Sequence, residues 1–221
     1  MQSEYVIITA GGTGSRMGSE KPKQFLELNG LPVLMHSIRA FYQYSADIKI
    51  IVTLPEMHIA DWKILCQGHH FEIPHSVCPG GETRFESVRR GLDHVEEGLV
   101  AIHDAVRPLV SHELITRCFE NAREMGNAVP VIPLSDSVRE VLNSESRPTD
   151  REHLRLVQTP QVFDAALLKS AYRLAYRSSF TDDASVAEAF GLKLHLVEGD
   201  PRNLKITRPD DMLIAEALIK S

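Results

Sequence analysis

Tyr5-Val6-Ile7-Ile8-Thr9-Ala10-Gly11-Gly12-Thr13-Gly14-Ser15-Arg16-Met17-Gly18 is a short apolar run that opens at once into glycines. A buried strand feeding such a loop lets backbone N–H groups approach a phosphate closely, because glycine removes the side chain from the path. The spacing is not that of a dinucleotide fingerprint: G-x-G-x-x-G counted from Gly12 would need glycine where Met17 stands. Nor is it a nucleoside-triphosphatase loop, since no Gly-Lys pair follows at the required distance. Instead one cation, Arg16, lies inside the loop, and a second, Lys23, follows in Lys21-Pro22-Lys23-Gln24-Phe25. Two cations beside a phosphate cradle suit charge that develops during phosphoryl chemistry. A tight strand-to-helix turn with solvated cations is the alternative for this segment alone.

Outward from the loop, apolar runs alternate with amphipathic stretches. The runs Tyr5–Thr9, 48–54, 71–77, 99–103, 128–132 and 193–197 read as strands. Helical patterns fill 32–42, 57–67, 83–96, 112–125, 165–176 and 182–190, with Pro32 suited to a first helical position. The alternation predicts an α/β fold with a mostly parallel sheet between helices, whose ligands gather beyond the carboxyl ends of the strands. The glycine loop, Pro79-Gly80-Gly81 and Asp104 all fall at such ends and should share one rim. Residues 135–158 break the rhythm: they are polar, hold Asn143-Ser144-Glu145-Ser146, and are flanked by alternating segments at 137–142 and 153–157. Those flanks predict two strands of a hairpin. No linker or repeat divides the chain, so residues 1–221 read as one domain.

The net charge of −6 argues against broad binding to nucleic acid or anionic membranes, while leaving room for a local basic pocket. Cys66, Cys78 and Cys118 are odd in number and scattered, which suits reduced thiols better than a disulfide framework or a zinc site. With no secretory pattern and no membrane-length apolar run, the expectation is a cytoplasmic protein.

Five further clusters carry chemistry. Pro79-Gly80-Gly81-Glu82-Thr83-Arg84 leads into Ser87, a glycine turn at a helix start that reads equally as a ligand edge or a capped helix. In His103-Asp104-Ala105-Val106-Arg107-Pro108, Asp104 ends an apolar strand, where it could orient a hydroxyl or phosphate-bound water. Arg107 could hold an anion or simply pair with Asp104; His103 reads as a packing or hydrogen-bonding residue, not a base. Gln158-Thr159-Pro160-Gln161 holds Thr159 extended before proline, and Thr181-Asp182-Asp183-Ala184 offers Thr181 as a helix N-cap or a ligand contact. Lys205, between Leu204 and Ile206, is either a solvated edge lysine or a site cation, and Asp210 and Asp211 read as caps of the last helix.

Ala10-Gly11-Gly12-x-Gly14-x-Arg16-Met17-Gly18 with Pro22-Lys23-Gln24-Phe25 resembles the signature of nucleotidyltransferases that join a sugar phosphate to a nucleotide, and the Lys-Gln-Phe ending is similar to their cytidylyltransferase branch. Matches keep their order from residue 5 to about 211. The resemblance implies a Rossmann-like sheet with a protruding β-arm over 135–158 that embraces a second subunit, hence a homodimer. It implies CTP as donor and Mg²⁺, or another divalent cation, bound with it; sequence does not decide whether Asp104 touches that ion directly. Ala10, Gly11, Gly12, Gly14, Gly81, Glu82, Ser87, Asp104 and Ala105 would contact the nucleotide, Glu82 through its backbone. Asp104, Arg107, Ser137, Thr159 and Thr181 would contact the acceptor, and Arg16, Lys23, Arg151 and Lys205 would be the catalytic cations. Arg147 and Arg155 compete with Arg151 for its place in the arm. Thr181–Ser185 and the 150–156 arm look closer to enzymes acting on methylerythritol phosphate than to a sister branch acting on ribitol 5-phosphate. A silent nucleotide-binding module would not be expected to keep Arg16, Lys23 and Lys205.

Overall fold

A computed structural model describes residues 2–11 and 22–220. Strand β1, Glu4–Thr9, is buried along Tyr5–Ile8 on both faces, as a central strand covered by helices on each side must be. It runs parallel to β4 (Lys49–Leu54) on one edge and to β6 (Leu99–Asp104) on the other, and β5 (Ser76–Pro79) pairs parallel with β4. The other side of the sheet is built by β7 (Asn127–Pro133), β10 (Arg155–Val157), β11 (Gln161–Asp164) and β12 (Leu196–Glu198). Its order is β10-β7-β11-β6-β1-β4-β5, with β12 parallel to β7. Only β10 and β11 run antiparallel to their neighbours, so the sheet is mostly parallel, as expected.

Period-two alternation divides the core. Val6, Ile8 and Ala101 point into the layer of α1 (Val33–Tyr44), α2 (Ile59–Gly68) and α4 (His112–Met125). Tyr5, Ile7, Val100 and Ile102 point into the layer of α3 (Arg84–Leu92), α5 (Ala165–Ala171) and α6 (Asp183–Ala189). A third, smaller cluster seats α7 (Pro209–Ile219) on the hairpin of β2 (Glu27–Leu28) and β3 (Leu31–Pro32) through Leu28, Val33, Ile206 and Ala215. Asn29 and Gly30 both take positive φ in that turn, the conformation a two-residue hairpin loop demands.

Several expectations need correction, among them the run at 193–197, which pairs only over Leu196–Glu198. The run at 71–77 forms a strand only from Ser76; Phe71, against Trp62, and Ile73 pack on the core cluster instead of pairing. The arm hairpin is closed by β8 (Val138–Leu142) on β9 (Glu145–Thr149), not by the 153–157 flank. Asn143 and Ser144 adopt the left-handed turn, and Leu142 pairs with Glu145. The outer flank becomes β10 and joins the main sheet through Leu156 opposite Ile132. Helices α3 and α5 also stop short of their amphipathic patterns, at Leu92 and Ala171, and Pro32 precedes α1 as the last residue of β3.

Candidate active site

Register brings the strand ends together. Thr9 stands opposite both Thr53 and Asp104, and Thr53 opposite Cys78, so the loops after β1, β4, β5 and β6 leave one rim. The rim is stitched across: the Ala105 amide donates to Thr9, the Ala10 amide to Thr53, and the Gly80 amide to Leu54. Gln24 is fully buried and donates from Nε2 to the Ala10 carbonyl at 2.7 Å, which ties the Lys23 segment to the start of the glycine loop. Gly12, Gly14 and Arg16 lie outside the described residues.

On one side of the rim, Gly11, Gly80, Gly81 and Ser87 converge. A Cβ on Gly11 would stand 3.6 Å from Ser87 Oγ, and one on Gly80 3.0 Å from the same oxygen. Ser87 Oγ accepts from the Gly81 amide at 3.0 Å and donates to the Thr83 carbonyl. A Cβ on Gly81 would collide with Glu86 Cβ at 2.2 Å, so only glycine fits there. The Glu82 amide donates to the Glu86 carboxylate at 2.9 Å while its own side chain is exposed. Thr83, the N-cap of α3, completes a turn that is both a capped helix start and a backbone-lined slot.

Asp104 forms the other side. Lys205 Nζ lies 2.7 Å from Oδ2, Arg84 Nε 3.3 Å from Oδ1, and Arg107 Nε 3.8 Å from Oδ2. Burial opposes ionisation of this carboxyl, yet Arg84, Lys205 and Arg107 together hold it far below the usual carboxylate range. Arg84 in turn grips the fully buried Asp183 with both terminal nitrogens, at 3.1 and 2.7 Å. Three cations thus share two carboxylates, which leaves the cluster poised for an anion.

Beneath Asp104 a hydrogen-bonded chain fixes the backbone. The Asp104 amide donates to Thr159 Oγ1 at 3.1 Å, and Thr159 Oγ1 lies 3.1 Å from His103 Nδ1. His103 Nε2 lies 3.1 Å from the Arg107 carbonyl, so Nε2 carries the proton and Nδ1 accepts from the threonine hydroxyl. His103 is fully buried and burial pushes it down to about 4, so it stays neutral and structural, as read from sequence. Thr159 therefore directs its hydroxyl inward, beneath Asp104. Arg107 is also committed, donating to the Asn203 carbonyl at 2.7 Å, while its buried Nε has no hydrogen-bond partner.

Thr181 is exposed and is not the N-cap of α6; Asp182 is, accepting from the Ser185 amide at 2.9 Å. Ser137 and Arg151 are exposed on the arm side, Arg151 donating to the Ser135 carbonyl, and neither joins the Asp104 network. Of the two acids expected to cap α7, Asp211 does so, accepting from the Thr207 and Arg208 amides, while no capping bond to Asp210 is described. Sequence reasoning gave Arg84 and Asp183 no role. A signal was present: Arg84 puts a cation in the first turn of a helix, the unfavourable end of its dipole, and so needs strong compensation.

Comparison with known proteins bears on the fold and the family of the whole chain. The family model of 2-C-methyl-D-erythritol 4-phosphate cytidylyltransferase matches residues 5–221. The cytidylyltransferase of that name from Phocaeicola vulgatus is 49% identical over 218 residues, covering 98% of this chain and 100% of its own. That from Bacteroides fragilis is 50% identical over 214 residues, with 96% and 98% covered. Among solved structures, the Thermus thermophilus enzyme superposes with a TM-score of 0.78 at 34% identity, covering all of both chains. The Francisella tularensis enzyme gives 0.81 at 30% identity, covering 97% of this chain and 99% of its own. The chain whose sheet carries this cation cluster at its carboxyl rim thus belongs to the 2-C-methyl-D-erythritol 4-phosphate cytidylyltransferase family.

Proposed function

We propose that this rim performs the family's reaction with the residues named above. The chain is a nucleotidyltransferase that joins CTP to methylerythritol phosphate, giving diphosphocytidyl-methylerythritol and pyrophosphate. The observation that carries the assignment of the site is Lys205, Arg84 and Arg107 gathered on Asp104 beside the glycine slot. An oxygen of the acceptor phosphate attacks the α-phosphorus of CTP, and the bond to the β-phosphate oxygen breaks in line as pyrophosphate leaves. No covalent intermediate on the protein is needed, so its work is positioning and charge neutralisation.

Gly81, Glu82 and Ser87 line the slot for the cytosine ring. Ala10, Gly11, Gly12, Gly14 and Ala105 frame the phosphates and ribose, with Asp104 oriented toward the sugar. Arg16 and Lys23 neutralise the leaving pyrophosphate. Lys205 and Arg107 receive the incoming phosphate, with Arg151 and Ser137 supplied from a second subunit of a homodimer through the 135–158 arm. Thr181 offers its hydroxyl to the acceptor, and Thr159 acts through Asp104. Among the described residues no group of three or more His, Cys, Asp or Glu side chains could cage a metal ion, and both oxygens of Asp104 face cations. These residues do not form a protein metal site; a divalent ion would arrive on the CTP phosphates, neutralising part of their charge. No described helix is long and apolar enough to cross a membrane.

A pyrophosphate-release assay tests this reading. CTP with methylerythritol phosphate should turn over, and ribitol 5-phosphate should be at least about 10²-fold poorer in kcat/KM, the scale of discrimination a shaped polar pocket reaches. Comparable turnover of the two acceptors would refute the assignment of Thr181 and the arm to acceptor recognition.

A further inference from the structure

Arg84 is fully engaged at all three of its nitrogens. Its two terminal nitrogens hold the two oxygens of Asp183, and Nε holds Asp104 Oδ1 at 3.3 Å. Asp183 is itself anchored: it is fully buried, and its Oδ1 accepts from the Tyr172 hydroxyl at 2.6 Å. Tyr172 is held in turn by the Phe85 ring, stacked with centroids 4.7 Å apart. A bidentate guanidinium cannot turn without breaking both bonds, so Nε is presented to Asp104 from a fixed place. That pins Oδ1 and leaves Oδ2 directed at Lys205, 2.7 Å away.

We propose that Arg84, locked by Asp183 and Tyr172, is a positioning residue for the transfer reaction, setting the orientation of the Asp104 carboxylate and through it the place of the Lys205 ammonium. The inference rests on the assignment of Asp104 and Lys205 to the reacting site. A pair needed only for folding would be complete with Arg84 on Asp183. The third contact reaches a rim carboxylate that already carries two other cations, where it constrains direction more than it adds attraction. Arg84 also directly follows the Gly80–Thr83 slot, while Asp183 begins the helix after Thr181. One guanidinium therefore ties the edge assigned to the base to the edge assigned to the acceptor.

The test replaces both partners, Arg84→Gln with Asp183→Asn, so that no buried charge is left unpaired. Steady-state pyrophosphate release with CTP and methylerythritol phosphate is measured beside the melting temperature. We expect kcat to fall about 10²-fold, the cost of a misplaced reacting group, with KM for CTP within about threefold of wild type. Arg84→Ala should regain part of its lost kcat with millimolar methylguanidinium, which can enter because the Arg84 side chain is 29% exposed. A folded double variant with wild-type kcat overturns the proposal, as does a rise in KM alone. Should the double variant fail to fold, Arg84→Lys is read by the same criterion, since lysine keeps the charge without the three directed bonds. Lys205→Ala run in parallel separates the two levels. If it leaves kcat intact, the site assignment falls and the positioning role with it. If it slows the reaction while the Arg84 variants do not, the positioning role alone is overturned.

Discussion

His103 shows how a residue beside a reacting group can serve by remaining uncharged. Its ring is fully buried, edge-on to Phe41 at 5.0 Å, and both nitrogens are used in a chain that suits only the neutral form. Protonation would add a donor at Nδ1 facing the Thr159 hydroxyl, which already accepts from the Asp104 amide. Burial lowers its folded pKa to about 4, whereas the unfolded value is the ordinary 6.5. The unfolded chain therefore binds the proton first as pH falls. The stability contributed by neutral burial is full above about pH 6.5 and is lost progressively toward pH 4, a span worth roughly 3 kcal/mol. Urea midpoints measured from pH 7 to pH 4.5 should fall, and His103→Gln should flatten that slope. An equally steep slope in the variant would assign the acid sensitivity to other groups.

At the level of elements, the start of α6 places a capping acid beside an exposed hydroxyl proposed to meet the acceptor. Asp182 accepts from the Ser185 amide and from Gln161 Nε2 at 3.0 Å, so it caps the helix and ties it to β11. Asp182→Ala should cost about 1 kcal/mol as a lost cap and lower the melting temperature by several degrees. Thr181→Ala, one residue earlier and exposed, should leave the melting temperature alone and raise KM for methylerythritol phosphate. The reverse pattern would exchange their roles. Sequence offered Thr181 as a cap or a ligand contact; two candidate caps stand in succession, and only the register of the first turn chooses between them. The same distinction explains what was legible elsewhere. Strand β1 was readable because two-sided burial gives an unbroken apolar run, and helix α4 because one-sided burial imposes a helical period. Strand β11 was not, since Gln161 is buried for its hydrogen bonds to Asp182 and the Ala184 amide, which disguises a core position as a polar one. The rim cations Lys205 and Arg107 were legible from their motifs, but the Arg84–Asp183 pair joins residues 99 apart in sequence, beyond any local pattern.

For the whole molecule, the arm carries exposed apolar side chains that bear on assembly. Val141 and Leu142 on the hairpin are 68% and 69% exposed, and Leu156 on β10 is 51% exposed. Apolar side chains at a hairpin tip and on a sheet-edge strand are an association surface that a chain working alone would have reason to blunt with charge. Arg151 and Ser137 lie on this same excursion, and neither reaches its own subunit's Asp104 network. A twofold dimer in which each arm crosses to the neighbour would bury those apolar residues and deliver both polar ones to the other subunit's rim. Such shared sites are complete only when one subunit gives an intact body and the other an intact arm. Arg151→Ala damages the arm and Lys23→Ala the body, so each homodimer should be impaired. In an equimolar mixture allowed to exchange, half the dimers are mixed and one of their two sites is whole, so activity should recover to about a quarter of wild type. Exchange is verified by mass-tagging one chain, and the pyrophosphate-release rate is followed as mixed dimers accumulate. Verified exchange without recovery would return Arg151 to its own subunit or remove it from the site.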